Sequence, residues 1–189
     1  MRFQRARSPV FFLIVLLVTS SGANIAAHAA GISMIDDRGA RVALPAPARR
    51  IVALAPSITE LVFAAGAGDK LIGVPRFSDY PAAVKTIEQV GDASRIDLER
   101  VLSLQPDLVI GWQTGNHAAD IERLEALGFK VYVAEPATLA AIPRLLRAFG
   151  AMADTTAVAE RAAAGAVSAS APNARSRRGI AASVAGSAT

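Results

Sequence analysis

The chain has 189 residues, 52% hydrophobic and 19% charged, and no cysteine; that apolar content supports a globular core and excludes a disulfide-stapled or disordered chain. Its formal charge of +4 would point to a nucleic-acid or anionic-membrane partner if the basic residues shared a face. Six arginines instead crowd the two ends, Arg2, Arg5 and Arg7 in front and Arg175, Arg177 and Arg178 behind, leaving 14 basic against 16 acidic side chains in the body, so nucleic acid is excluded as the leading partner.

The opening has the build of a secretory signal, expected over residues 1–29: a charged start, an apolar run from Val10 to Val18, and the small-residue site Ala27-His28-Ala29. The apolar run falls short of the ~20 residues that a membrane span needs. With no cysteine near the cleavage site to carry a lipid, a soluble protein with no membrane span after signal removal is expected, outside the cytoplasm.

The body, expected as one lobe over residues 30–153, opens with a hairpin: Ile32 to Ile35, the turn Asp36-Asp37-Arg38-Gly39, and Arg41 to Leu44. Arg50 to Ala55 is a strand running straight into a helix, for which Ser57 and Glu60 have capping-box spacing. Gly66 and Gly68 end that helix and Leu71 to Val74 is the next strand. Asp97 caps a helix bearing Leu98, Val101 and Leu102, with Ile96 and Val101 at the positions of a hydrophobic staple and Pro106 as its stop. Asp107 to Trp112 is nearly continuous in apolar character, as a parallel strand covered on both faces requires. Asn116 is placed to cap a helix with Ile121, Leu124 and Leu127 inward, stopped by Gly128. Lys130 to Ala134 is a strand, and Thr138 to Ala153 a helix with an expected kink at Pro143. Alternating strands and helices on short loops make a parallel α/β sheet. Helix continues over 154–167, and residues 168–189, rich in Ala, Ser and Arg without an acid or aromatic, make a disordered tail because they bury too little to offset ordering.

Catalysis finds little support. The mature chain keeps one histidine, His117, and has no G-x-S-x-G, no H-E-x-x-H and no cysteine nucleophile. Gly66, Gly68 and Gly73 follow a helix where a dinucleotide fingerprint follows a strand, and Asp36 with Asp37 do not make a metal site. What remains are loops at the carboxyl ends of strands, where open α/β sheets bind ligands: Pro56-Ser57, the segment Arg76 to Pro81, and Trp112. Each has a structural alternative, since Ser57 can cap its helix, Phe77 and Tyr80 can pack their loop, and Trp112 can close the core. Together they put aromatic surface on one rim, which suits a large planar ligand.

The stretches Arg50 to Leu61, Gly73 to Pro81, Ile87 to Gly91 and Asp97 to Trp112, above all Phe77-Ser78-Asp79-Tyr80-Pro81 followed by Asp97-Leu98-Glu99-Arg100 and Pro106 to Trp112, resemble the periplasmic cobalamin-binding proteins of ABC importers. The resemblance covers roughly residues 32 to 165, and the wider class also binds haem and ferric siderophores. It implies a Rossmann-like parallel-sheet lobe of a binding protein in which one long helix joins two lobes and a corrinoid lies between them. By resemblance Pro56, Ser57, Phe77 (usually tyrosine) and Trp112 match ligand contacts, and Glu99 matches the carboxylate that docks into an arginine pocket of the inner-membrane permease. A second tryptophan of the family is replaced near Ala93, and the second lobe is expected to be missing. The expectation is therefore a monomeric, periplasmic, non-enzymatic carrier of cobalamin as transported ligand, with no resident cofactor or metal; haem or a siderophore, or a secreted α/β enzyme, are the alternatives.

Overall fold

The computed structural model describes residues 31–92 and 94–170; the expected signal segment and most of the expected tail lie outside them. Two strands, β1 (Ile32–Ile35) and β2 (Arg41–Leu44), form the expected antiparallel hairpin, with Ile32 opposite Leu44. Gly39 closes its turn at φ 83°, a conformation open to glycine at no steric cost. A five-stranded parallel sheet follows, built from β3 (Ile51–Ala53), β4 (Leu71–Val74), β5 (Glu88–Gln89), β6 (Leu108–Trp112) and β7 (Val131–Ala134), in the order β5-β4-β3-β6-β7. The edge strand β5 escapes sequence reading because two exposed polar residues carry no periodic signal.

Alternation along the inner strands sorts their side chains onto two covered faces. Ile51, Ala53, Leu108, Ile110, Tyr132 and Ala134 point to one face, where they meet α1 (Pro56–Ala64), α4 (Ala141–Ala153) and α5 (Thr156–Ser170). Val52, Leu54, Val109, Val131 and Val133 point to the other, against α2 (Leu98–Leu104) and α3 (Ala118–Ala126). Burial on both sides is why β3, β6 and β7 read as unbroken apolar runs.

The hairpin covers the free edge of β7. Asp37 donates its N–H to the Val133 carbonyl at 3.0 Å, and the buried Asp36 carboxylate accepts from the N–H groups of Arg38, Ala40 and Val133. An edge strand is thereby kept from pairing with another chain.

Several helix boundaries differ from the sequence reading, each for a local reason. Ser57 does not cap α1: Ala55 holds that position without a side-chain bond, and Pro56, whose fixed φ suits a first helical residue, begins the helix. Asn116 does not cap α3 either, for its side chain is committed elsewhere and His117 takes the position. Leu127 lies past the end of α3 and is 52% exposed. Pro143 does not interrupt α4, because the helix begins only at Ala141 and its first turn has no partner for the missing N–H. Gly68 opens a short 3₁₀ turn instead of ending α1, which Gly66 stops at φ 83°. Helix α5 runs through Ser168 to Ser170, three residues into the expected tail.

The cap assigned to Asp97 is present, its carboxylate accepting the Arg100 N–H at 3.0 Å. Ile96 and Val101 are both buried in the same cluster, as a staple requires.

Candidate functional site

The strand order reverses direction at the middle of the sheet. From β3 the chain moves by way of α1 to β4 on one side, whereas from β6 it moves by way of α3, on the opposite face, to β7. The loops leaving the carboxyl ends of β3 and β6 therefore diverge, and a crevice opens between them at the switch point. A groove of about 400 Å³ lies here, lined by Ser57, Glu60, Leu61, Trp112, Pro136 and Ile142 and open along one side.

The sequence-derived residues fall unequally around it. Ser57, the second residue of α1, and Trp112, the last of β6, are brought together in the groove. The exposed Ser57 hydroxyl has no cap bond to make. Pro56 is half-buried behind Ser57 as the first residue of α1. Phe77 does not line the groove; it stands on the neighbouring β4 loop, 72% exposed at φ 68°, and a left-handed aromatic with so little packing is costly for a structural role. Tyr80 on the same loop is 70% exposed. That loop is tied to α1 by the Thr59–Ser78 hydroxyl pair at 3.3 Å.

Three residues that sequence reading did not assign to the site hold the rim. Asn116, 7% exposed, accepts the Trp112 backbone N–H on Oδ1 at 2.7 Å and donates from Nδ2 to the Leu54 carbonyl at 3.0 Å. It thus ties the ends of β3 and β6 across the switch point. Glu135 accepts the Trp112 indole N–H on Oε1 at 3.2 Å and the Thr114 N–H on Oε2 at 3.1 Å. Asp37 accepts the Glu135 N–H at 2.6 Å and is clasped by Arg144, whose two guanidinium nitrogens reach its two oxygens at 2.7 and 3.0 Å. The bond to Asp37 holds the Arg144 guanidinium above its ordinary pKa, against the opposing effect of burial. In the sequence Asn116 looks like a helix cap, Asp37 like part of a turn and Glu135 like any polar residue beside a strand end, and none of these signals separates a support from a solvated loop.

Glu99 lies elsewhere, in the first turn of α2, exposed and in no ion pair among the described residues. It borders a larger concavity of about 730 Å³ with Arg76, Arg95 and Arg123. Asp92 on its border is held below the usual carboxylate range by the Ser94 hydroxyl and the Arg95 N–H. Among the described residues no group of three His, Cys, Asp or Glu could hold a metal ion, and no helix is long and apolar enough to cross a membrane.

Comparison with known proteins follows the same geometry. The vitamin B12-binding protein of Vibrio vulnificus (strain CMCP6) is 48% identical over 94 residues, 50% of this chain and 34% of that protein. The vitamin B12-binding protein of Vibrio campbellii is 43% identical over 118 residues, 62% of this chain and 43% of that protein. Among solved structures, the periplasmic vitamin B12 binding protein BtuF of Vibrio cholerae superimposes with a TM-score of 0.62 at 38% identity, over 65% of this chain and 48% of that one. A periplasmic heme binding protein from Pseudomonas aeruginosa gives 0.59 at 30% identity, over 62% and 43%. The chain thus spans less than half the length of each of these relatives. A sequence profile described as periplasmic binding protein matches residues 51–175, and the chain belongs to that family.

Proposed function

We propose that this chain is the ligand-facing lobe of a periplasmic solute-binding protein that carries cobalamin or a related corrinoid to an ABC permease in the inner membrane. The observation that carries the reading is the groove at the switch point, where an indole and a free hydroxyl meet two apolar residues, Leu61 and Ile142, and a carboxylate, Glu60. A large ring system is held there by the ring face of Trp112, with Phe77 offered from the next loop and Ser57 beside the backbone turn at Pro56. Relatives of the chain named above are binding proteins, which supports a non-enzymatic role.

Charge separates the corrinoid from haem, the ligand named for the Pseudomonas aeruginosa neighbour. Among the described residues no arginine or lysine lines the groove, and Glu60 lies in its wall with Glu135 behind Trp112. A corrin edged with amides can donate to such carboxylates, whereas the two propionates of haem are repelled by them. The groove has one wall in the described residues. Leaving 100 to 200 Å² of ligand unburied removes about 2.5 to 5 kcal/mol, or roughly 10² to 10⁴ in affinity, relative to a closed cleft.

Calorimetry tests the proposal directly. Heat on adding cyanocobalamin, weakened by Trp112→Ala, is the expected result. Binding of haemin instead, with a Soret shift lost in Tyr80→Ala, would transfer the assignment to haem.

A further inference from the structure

We propose that Glu135 is a positioning residue whose carboxylate, together with the bare Cα of Gly115, fixes the plane of the Trp112 indole before any ligand arrives. The proposal rests on the reading of Trp112 as a ligand contact. Two N–H groups, the Trp112 indole and the Thr114 backbone, point at Glu135 and are taken one on each oxygen, at 3.2 and 3.1 Å. A carboxylate offers an acceptor on each arm of one planar fork; glutamine puts an amide donor on one arm, so it cannot take the two N–H groups one on each arm as Glu135 does. The turn between them is equally confined. A Cβ on Gly115 would stand 1.8 Å from Cε3 and 2.3 Å from Cδ2 of the indole, so Gly115 lies against the ring and no other residue leaves the indole where it is.

Glu135 is itself held from behind. Its N–H is bound to Asp37, and Asp37 is clasped by Arg144 of α4. The β1–β2 turn and α4 therefore steady a side chain whose business is at the groove. A hot-spot aromatic held rigid binds more tightly because less side-chain freedom is lost on contact.

The chain has one tryptophan, so its intrinsic fluorescence reports Trp112 alone. Glu135→Ala and Gly115→Ala should each raise acrylamide quenching and lower the anisotropy of that fluorescence, with Glu135→Gln intermediate. Glu135→Ala should also weaken cyanocobalamin binding by about two- to tenfold, the ordering cost of one side chain no longer held in place beforehand. Far-UV circular dichroism and the melting temperature show whether each variant is folded. Unchanged quenching and anisotropy in folded Glu135→Ala would overturn the proposal. Altered fluorescence where even the parent protein takes no corrinoid would support the positioning role and overturn the ligand assignment.

Discussion

Gly150 of α4 meets Ala159 of α5 so closely that a Cβ on Gly150 would stand 2.3 Å from the Ala159 methyl. The missing side chain is what lets α5 lie down on α4, where Ala159 and Ala163 are fully buried and Arg147 pairs with Glu160 at 2.9 Å. Gly150→Ala should therefore lower stability by about 1 to 2 kcal/mol, overpacking exceeding the ~1 kcal/mol gained in helix propensity. Gly165, with nothing within 4 Å of its would-be Cβ, makes the contrast. There, alanine should raise stability by up to about 1 kcal/mol in urea denaturation.

Asn116 gives a second test, because a cap and a strand tie respond differently to the same change. If it capped α3, aspartate would replace it at little loss. As the bridge between Trp112 N–H and the Leu54 carbonyl, aspartate cannot donate to that carbonyl and leaves it unmet beside a negative charge. Asn116→Ala and Asn116→Asp should both lose about 2 to 4 kcal/mol, while His117→Ala, at the exposed cap position, should stay within about 0.5 kcal/mol of the parent. Chemical denaturation of the three variants checks the ranking.

Tyr132 makes stability fall in alkali. Its ring is 1% exposed and packs edge-on against Phe149 with centroids 5.9 Å apart. Burial, with a smaller push from Asp37, raises its hydroxyl above the ordinary value of 10.0 despite the opposing charge of Arg144. The folded chain thus keeps a proton that the unfolded chain releases. The contribution is whole below about pH 10 and is lost as pH rises through the folded pKa, with a slope of at most ~1.4 kcal/mol per pH unit. Tyr132→Phe should show a shallower loss between pH 9.5 and 11.5 when both are unfolded in urea.

Partner docking by Glu99, which the family resemblance implies, is a proposal that one substitution tests. It is unpaired among the described residues, so Glu99→Gln should remove only the first-turn contribution of an acid, about 0.3 to 1 kcal/mol. Association with the cognate permease should fall well beyond that, and the difference between parent and variant should shrink as salt is raised. Equal losses in melting temperature and in association would assign Glu99 to helix stability instead.

Sequence alone determined the order of the elements, the two-residue edge strand β5 excepted. Strands flanked by helix signals, from the Asp36–Gly39 turn to the apolar run ending at Trp112, are local patterns with periods of 2 and 3.6, so they survive reading one segment at a time. The same holds for Asp97, whose cap and staple partners lie within four residues. Ser57 and Asn116 have cap-like spacing as well, yet neither caps, because Pro56 already begins α1 and the Leu54 carbonyl, 62 positions away, takes the Asn116 amide. Only the tertiary structure could decide that. Glu135 beneath Trp112, Asp37 beneath Glu135, and Gly150 against Ala159 are likewise contacts between elements. A polar or small residue has the same local preferences whether its partner is water or a distant strand, so its role appears only once folding has chosen that partner.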